Sequence, residues 1–211
     1  MRTLLVTAFF LLCAAPALAQ HDHAAAGGGS LAEGWHARPD RATEPVAGVS
    51  LMSHGEGLHV KTGPAAIFWH EGSTAAGNFT AEATFTAKQQ PPREAYGLVI
   101  GGRDLAEEGV DYAYFIIRGD GSFMIRHRAG TEVHTITPWT KHEAVRVPDA
   151  EGVVSNTLSI AAGAEQIRFL VNDTEVASFE RGGALGVDGI VGLRVNHNLE
   201  LQVDGLRVTA K

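Results

Sequence analysis

The sequence predicts an all-β protein built from two sheets packed face to face. From residue 35 to residue 211, short runs of alternating apolar and polar residues are separated by turn residues, and no long helical period interrupts them. The chain has 25 glycines, which suit the bends and tight turns of curved sheets. About twelve such runs fit into this length, which favours a two-sheet sandwich. No exact internal repeat is visible, and this argues against a propeller or a β-helix.

The first element is a secretory signal peptide, expected at residues 1–19. Arg2 supplies a positive start, an apolar run covers residues 4–15, and Ala17-Leu18-Ala19 forms a small-residue cleavage site before Gln20. The apolar run is too short for an ordinary membrane anchor. We therefore expect a periplasmic or secreted protein that has no membrane partner.

The mature chain is expected to be a single domain at residues 35–211, preceded by a flexible linker at residues 20–34 that is rich in Ala, Gly and His. Cys13, the only cysteine, leaves with the signal peptide, so the domain must be stabilised by its own core and not by disulfides. The formal net charge of −7 argues against nucleic acid or an anionic membrane as partner.

The clearest strand covers residues 78–87. Apolar residues at 79, 81, 83 and 85 alternate with threonine or glutamate, so one face is buried and the other is solvated. Eleven more strands are predicted at residues 57–61, 65–70, 96–101, 111–118, 122–128, 132–137, 156–161, 166–171, 175–179, 189–196 and 200–209. The alternation predicts one shared core that contains Phe79, Phe85, Phe115, Ile117, Phe123, Phe169 and Leu193.

Turn residues separate these strands. Residues 119–121, 129–130 and 172–173 predict hairpin loops, because glycine, asparagine and aspartate tolerate tight-turn backbone angles. Pro91-Pro92 marks a longer loop.

The second half of the chain carries a recognisable order of elements. A strand at 111–118 leads into Gly119-Asp120-Gly121, residues 167–173 read IRFLVND, and residues 189–195 read GIVGLRV. This pattern, over about residues 56–210, resembles the concanavalin A-like lectin/glucanase superfamily, and in particular its laminin-G-like and 3-keto-disaccharide-hydrolase-type domains. The resemblance implies a two-sheet antiparallel jelly-roll sandwich with a sugar-binding concave sheet. Asp173 departs from the glycine that is usual there, although both residues tolerate a turn.

The hairpin at 111–128 has two different faces. A three-residue loop pairs Arg118 with Ser122, Ile116 with Met124, Tyr114 with Arg126 and Tyr112 with Arg128. The alternate residues, such as Phe115 and Ile125, form the core side, which leaves tyrosines and arginines exposed on the other side. Aromatic rings suit sugar faces and arginines suit hydroxyl or carboxylate groups. Ordinary cross-strand packing of tyrosine against arginine is the alternative.

The sequence therefore predicts an exported, non-catalytic module that binds carbohydrate or a similar polar ligand on its concave sheet. The expected ligand-binding residues are Tyr112, Tyr114, Arg126, Arg128, Arg194, Asn196 and His197. The last three form a second edge, although Asn196 and His197 equally suit a plain turn. Exchange of Tyr114 for alanine is expected to weaken glycan binding and to leave the melting temperature within a few degrees.

A glycoside-acting hydrolase of the 3-keto-disaccharide type is the alternative. Such chemistry needs acids that flank the bond, and the paired-acid motif E-x-D-x-x-E of the glucanases is absent, so Glu82, Asp111 and the nearby histidines are the remaining candidates for proton carriers. No catalytic residue, metal ligand or cofactor is assigned. Two sites for ions are considered: Ca²⁺ at Asp104, Glu107, Glu108 and Asp111, and a transition metal at His21 and His23.

Overall fold

The computed structural model describes residues 29–41, 43–183 and 185–211. Within them the chain forms fourteen strands and one short 3-10 turn, Val46–Gly48. The strands are β1 (Trp35–Pro39), β2 (Val49–His54), β3 (Gly57–Thr62), β4 (Ala66–Ala75), β5 (Phe79–Lys88), β6 (Ala95–Arg103), β7 (Asp111–Arg118), β8 (Ser122–Ala129), β9 (Glu132–Lys141), β10 (Val153–Ala162), β11 (Gln166–Val171), β12 (Thr174–Glu180), β13 (Gly189–Val195) and β14 (Glu200–Ala210).

The strands form two antiparallel sheets of seven strands each. Sheet I has the order β1-β4-β13-β6-β7-β8-β9, and sheet II has the order β12-β11-β10-β5-β14-β3-β2. Because β4, β5 and β6 lie in sheets I, II and I in turn, the chain crosses repeatedly between the sheets. The predicted two-sheet sandwich is confirmed.

One hydrophobic core fills the space between the sheets. In β5 every second residue from Phe79 to Ala87 is buried, as the alternation predicts. All seven residues predicted to share one core belong to this cluster, and none is more than 2% exposed. Phe115 packs edge-to-face against Phe169, with ring centroids 5.3 Å apart.

The twelve predicted strands are confirmed, with ends that differ by a few residues. Two further strands, β1 and β2, were not predicted. Both lie at the edge of a sheet, and each carries only three apolar residues. Their sequences therefore lack the pattern that identifies central strands.

The signal peptide expected at 1–19 and most of the linker lie outside the described residues. The last linker residues contact the sandwich: the Leu51 amide donates to the Ser30 carbonyl (2.9 Å) and the Ala32 amide donates to the Leu51 carbonyl (2.6 Å). Within the described part of the chain, no helix has the length and hydrophobicity to traverse a bilayer.

Candidate functional site

The hairpin β7–β8 sets the register of the candidate site. The four predicted pairs, Arg118 with Ser122, Ile116 with Met124, Tyr114 with Arg126 and Tyr112 with Arg128, are all confirmed. The turn is fixed because the Ser122 amide donates to the Asp120 carboxylate (3.1 Å) and because Gly121 takes a left-handed backbone conformation. The tyrosines and arginines therefore share the outer face of sheet I.

That outer face carries a second hydrophobic cluster, which we call the outer cluster. Its buried members are Ile67, Trp69, Ala95, Val99, Leu105, Val110, Tyr112, Tyr114, Ile116 and Met124. The expectation that the two tyrosines are exposed is wrong, since Tyr112 is 2% exposed and Tyr114 is 7% exposed. Leu105 and Val110, from the loop after β6, pack with them and remove them from solvent.

Asp40, which follows β1, joins two arginines of the predicted site. Its carboxylate accepts hydrogen bonds from both terminal nitrogens of Arg194, the second at 2.5 Å, and lies 3.5 Å from Arg128. The Arg128 guanidinium also donates to the Asp40 carbonyl (3.2 Å) and to the Gly130 carbonyl (3.0 Å). Such a two-pronged arginine–carboxylate pair fixes orientation as well as charge.

The electrostatics of this cluster follow from burial. Burial by itself would lower the pKa of Arg194, but the hydrogen bonds and charge of Asp40 raise it above its ordinary value. Burial raises the pKa of Tyr112, and the Arg194 charge opposes the change. The Arg194 guanidinium also lies 5.6 Å from the Tyr114 ring centroid. Arg194 is therefore a permanent, buried cation whose charge is balanced by Asp40.

Two open clefts border this cluster. The first, of about 510 Å³, is lined by Trp35, His36 and Trp69 among others. The second, of about 710 Å³, is lined by Asp40, Arg128 and the turn 129–132. Arg38 and Glu108 line both clefts, so the two volumes adjoin.

Arg38 lies between the two clefts and is held in place by hydrogen bonds. Its guanidinium donates to the carbonyl oxygens of Leu105 (3.1 Å) and Glu107 (2.5 Å), which ties β1 to the loop after β6. In the first cleft the exposed ring of His36 stacks on Trp69, with centroids 5.4 Å apart and an interplanar angle of 22°. This cleft combines aromatic rings with charged hydrogen-bonding groups.

The structure brings five of the seven predicted site residues to one part of sheet I and places the other two apart from them. Asn196 and His197 follow β13, at the end of the sheet where Ala95 pairs with Arg118. Tyr112 lies six residues from Arg118 along β7, which is about 20 Å in a strand. The His197 amide donates to the Glu94 carboxylate (3.1 Å), and Asn198 takes a left-handed conformation. Both features suit the turn alternative.

Sequence reasoning missed Asp40, Arg38, His36 and Trp69. Asp40 and Arg194 are separated by 154 positions, so no local spacing connects them. A single aspartate after a proline carries no pattern of its own. The sequence offers one indirect signal: the otherwise apolar strand β13 carries Arg194. A buried arginine needs a carboxylate nearby, but the sequence does not indicate which one.

The acids considered for glycoside hydrolysis do not come together. Glu82 lies on sheet II, where it accepts a hydrogen bond from Ser159 (2.8 Å) and pairs with Arg207. Asp111 lies on sheet I, 3.2 Å from His127. Among the described residues, no group of three or more histidine, cysteine or acidic side chains is arranged to hold a metal ion, which includes the loop considered for Ca²⁺. His21 and His23 lie outside the described residues.

Comparison by sequence finds no matching family model and no matching curated protein. Solved structures do match. The carbohydrate binding module CBM66 from Bacillus subtilis superposes with a TM-score of 0.62 at 14% identity, over 84% of this chain and 96% of that one. A Bacillus subtilis protein of unknown function with a galectin-like fold gives 0.57 at 12% identity, over 82% and 88% of the two chains.

An enzyme has the same architecture. The GH16 protein of a Bacteroides ovatus mixed linkage glucan locus, solved in complex with an oligosaccharide product, gives a TM-score of 0.57 at 8% identity, over 83% of this chain and 94% of that one. At these identities the similarity establishes the fold alone. The chain has the concanavalin A-like jelly-roll fold.

Proposed function

We propose that this jelly-roll protein is an exported, non-catalytic module that binds carbohydrate, or a similar polar ligand, on the outer face of sheet I. The observation that carries the proposal is the pair of adjoining clefts around Arg38, with the Asp40–Arg128–Arg194 cluster beside them. Protein sites for small polar ligands combine apolar walls with a few fixed polar groups. Here the aromatic rings supply the apolar walls, and the arginines and carboxylates supply the fixed polar groups.

The predicted site residues take different parts in this proposal. Tyr112, Tyr114 and Arg194 form a buried floor that holds the arginines in place, and Arg126 and Arg128 face the ligand. Asn196 and His197 mark the far edge of the same sheet. His36, at 47% side-chain exposure and stacked on Trp69, supplies the accessible ring in the first cleft.

The similarity to a carbohydrate binding module and to a GH16 protein supports a carbohydrate ligand by fold analogy. The glycoside hydrolase alternative would need two acids that flank one bond. Glu82 and Asp111, the candidates from sequence, belong to different sheets. Binding is therefore the function that the geometry supports best.

The test is a glycan array with the mature protein, followed by calorimetry on any glycan bound. His36→Ala should weaken binding about five- to tenfold, which corresponds to the loss of one ring contact of about 1 kcal/mol. Its melting temperature should stay within a few degrees, because His36 is exposed. Tyr114→Ala is unsuitable as a probe, since that ring is buried.

His59→Ala is the matched control. His59 is also an exposed histidine beside a glutamate, 3.0 Å from Glu200, but it lies on sheet II. It should bind as the parent does. If the array shows no glycan, or if His59→Ala weakens binding and His36→Ala does not, the proposed site is wrong.

A further inference from the structure

The outer face of sheet I carries a line of cations along strands β7, β8 and β9. Four cations lie on adjacent strands: Arg118 on β7, Arg126 and Arg128 on β8, and Lys141 on β9. We call these four residues the cationic strip. It contrasts with the chain as a whole, whose formal net charge is −7.

The acids beside the strip are shared among several cations. Asp120 lies 2.8 Å from Arg118 and 3.6 Å from Lys141. Asp40 lies 3.5 Å from Arg128, and its main partner is Arg194. Asp120 and Asp40 are therefore each shared between two cations, while Glu108 and Glu132 line the cleft beside Arg128 and offset part of the positive charge.

Arg126 lies at the centre of the strip and is paired with no acid among the described residues. Its side chain is half-buried, and its Nε is shielded from solvent without a hydrogen-bond partner. Tyr114 lies opposite it on β7 and Thr135 lies opposite it on β9. The guanidinium of Arg126 therefore has N–H groups that can donate hydrogen bonds to an anionic ligand.

An aromatic side chain lies within the strip. Trp139 on β9 is partly exposed and packs against the outer cluster, and the Arg118 guanidinium lies 4.2 Å from the centroid of its ring. Rings beside cations suit a ligand that has both apolar sugar faces and negative groups.

We propose that the ligand of this face is an acidic glycan whose sugar units carry carboxylates, and that Arg126, Trp139 and Lys141 contact it. The inference rests on the proposed carbohydrate-binding function, names its ligand class, and extends the site from the cleft that Arg128 lines along β8 and β9. Arg126 receives a carboxylate, Lys141 contributes a second, more solvated charge, and Trp139 provides the ring contact. Arg126, which has no acidic partner among the described residues, and the solvated Lys141 favour uronates over neutral sugars, because their charges attract the carboxylates.

The experiment uses an oligomer of galacturonic acid and the same oligomer with its carboxyl groups methyl-esterified. The esterified form keeps the sugar rings and removes the charge. The acid should bind at least tenfold more tightly, and its affinity should fall as salt rises from about 0.1 M to about 1 M, since the screening length shortens from about 10 Å to about 3 Å. Inorganic polyphosphate serves as an anion without sugar rings and should bind more weakly than the uronate.

Arg126→Gln should weaken uronate binding about tenfold, the value of one charged hydrogen bond. Lys141→Gln, at a side chain that is 67% exposed, should weaken it only about threefold. Arg168→Gln is the matched control, because Arg168 is a 49% exposed arginine on sheet II. It should leave binding unchanged.

The results separate this inference from the proposed function. Binding of neutral glycans without binding of the uronate overturns the inference and leaves the function standing, whereas the absence of all glycan binding overturns both. Equal binding of the acid and the ester, equal or tighter binding of polyphosphate, or an unchanged affinity for Arg126→Gln also overturns the inference. The two conservative exchanges lie at partly exposed positions, so both variants should fold.

Discussion

At the scale of single residues, Asp40 has the largest effect on the candidate site. It lies outside any strand, yet it balances the charge of Arg194, whose side chain is 7% exposed in the middle of sheet I. A buried guanidinium without a partner is costly, so Asp40 stabilises the buried position of Arg194 beside the Tyr114 ring.

Asp40→Ala should lower the free energy of unfolding by about 3 kcal/mol, because it leaves Arg194 buried and unpaired. The value is at the lower end of the range for buried pairs, since the Asp40 carboxylate itself is 35% exposed. Urea denaturation measures the change. Asp188→Ala is the control: Asp188 pairs with Arg181 at 2.8 Å but is 52% exposed, so its loss should cost less than about 1 kcal/mol. Equal effects of the two exchanges would contradict the assigned role of Asp40.

Tyr96 illustrates a second consequence of burial at a single residue. Its hydroxyl is buried without a hydrogen-bond partner of normal geometry. Burial raises the pKa of Tyr96 to about 12, and the nearby Asn156 amide opposes this only in part. In the unfolded chain the tyrosine hydroxyl ionises near pH 10. Between about pH 10 and pH 12 the folded protein therefore keeps the Tyr96 proton, whereas the unfolded chain loses it.

Stability should therefore fall as pH rises from about 10 to about 12, because the unfolded state loses the Tyr96 proton first. The loss should reach about 3 kcal/mol above pH 12, for two units of pKa, and stability should not change through this group below pH 10. Tyr96→Phe should remove this component and should be neutral or slightly stabilising at pH 7, since no hydrogen bond is lost. Chemical denaturation of parent and variant at about pH 7, 9 and 11 measures this difference, because these values lie on both sides of the tyrosine pKa in the unfolded chain, about 10. An identical alkaline loss in parent and variant would refute the assignment.

At the scale of elements, the hairpin β7–β8 was predicted most completely. Its register and its core side follow from a three-residue turn and a strict alternation, both of which are local. What covers its outer side was not predicted. The loop between β6 and β7 folds back over the hairpin and is held there by Arg38, which is 67 positions from Leu105. Asp40, after β1, is 88 positions from Arg128, and such contacts have no local pattern.

Phe115→Ala tests the assigned core side of this hairpin. The ring is fully buried between Phe123 and Phe169, so its removal should cost about 3–5 kcal/mol in unfolding free energy. Val133→Ala on β9 is a control at 45% exposure and should change stability by less than about 0.5 kcal/mol. A denaturant midpoint for Phe115→Ala close to that of the parent would contradict the packing.

At the scale of the whole molecule, the two sheets differ in what their outer faces present. Sheet I carries the outer cluster, the two clefts and the cationic strip. The outer face of β5 and β10 in sheet II presents polar pairs, such as Thr84 with Thr157 (2.8 Å) and Thr86 with Ser155 (3.1 Å). Sheet II also has a cleft, of about 470 Å³, which is lined by His59, Thr86 and Gln202 among others. Its described lining contains no tryptophan, tyrosine or arginine, so the combination of aromatic rings and arginines directs the search for a ligand to sheet I. Removal of residues 1–19 during export stays a prediction.

The sequence by itself determined the all-β class, twelve of the fourteen strands that the structure describes, seven members of the main core and the register of the central hairpin. These features depend on alternation and turn chemistry, which act between residues close together in the chain. Tertiary structure alone decided that Tyr112 and Tyr114 are buried, that Asp40 joins Arg128 to Arg194, and that Asn196 and His197 lie apart from them. Burial and ion pairing depend on which distant segments meet, and residues up to 154 positions apart share no periodic pattern from which that meeting could be predicted.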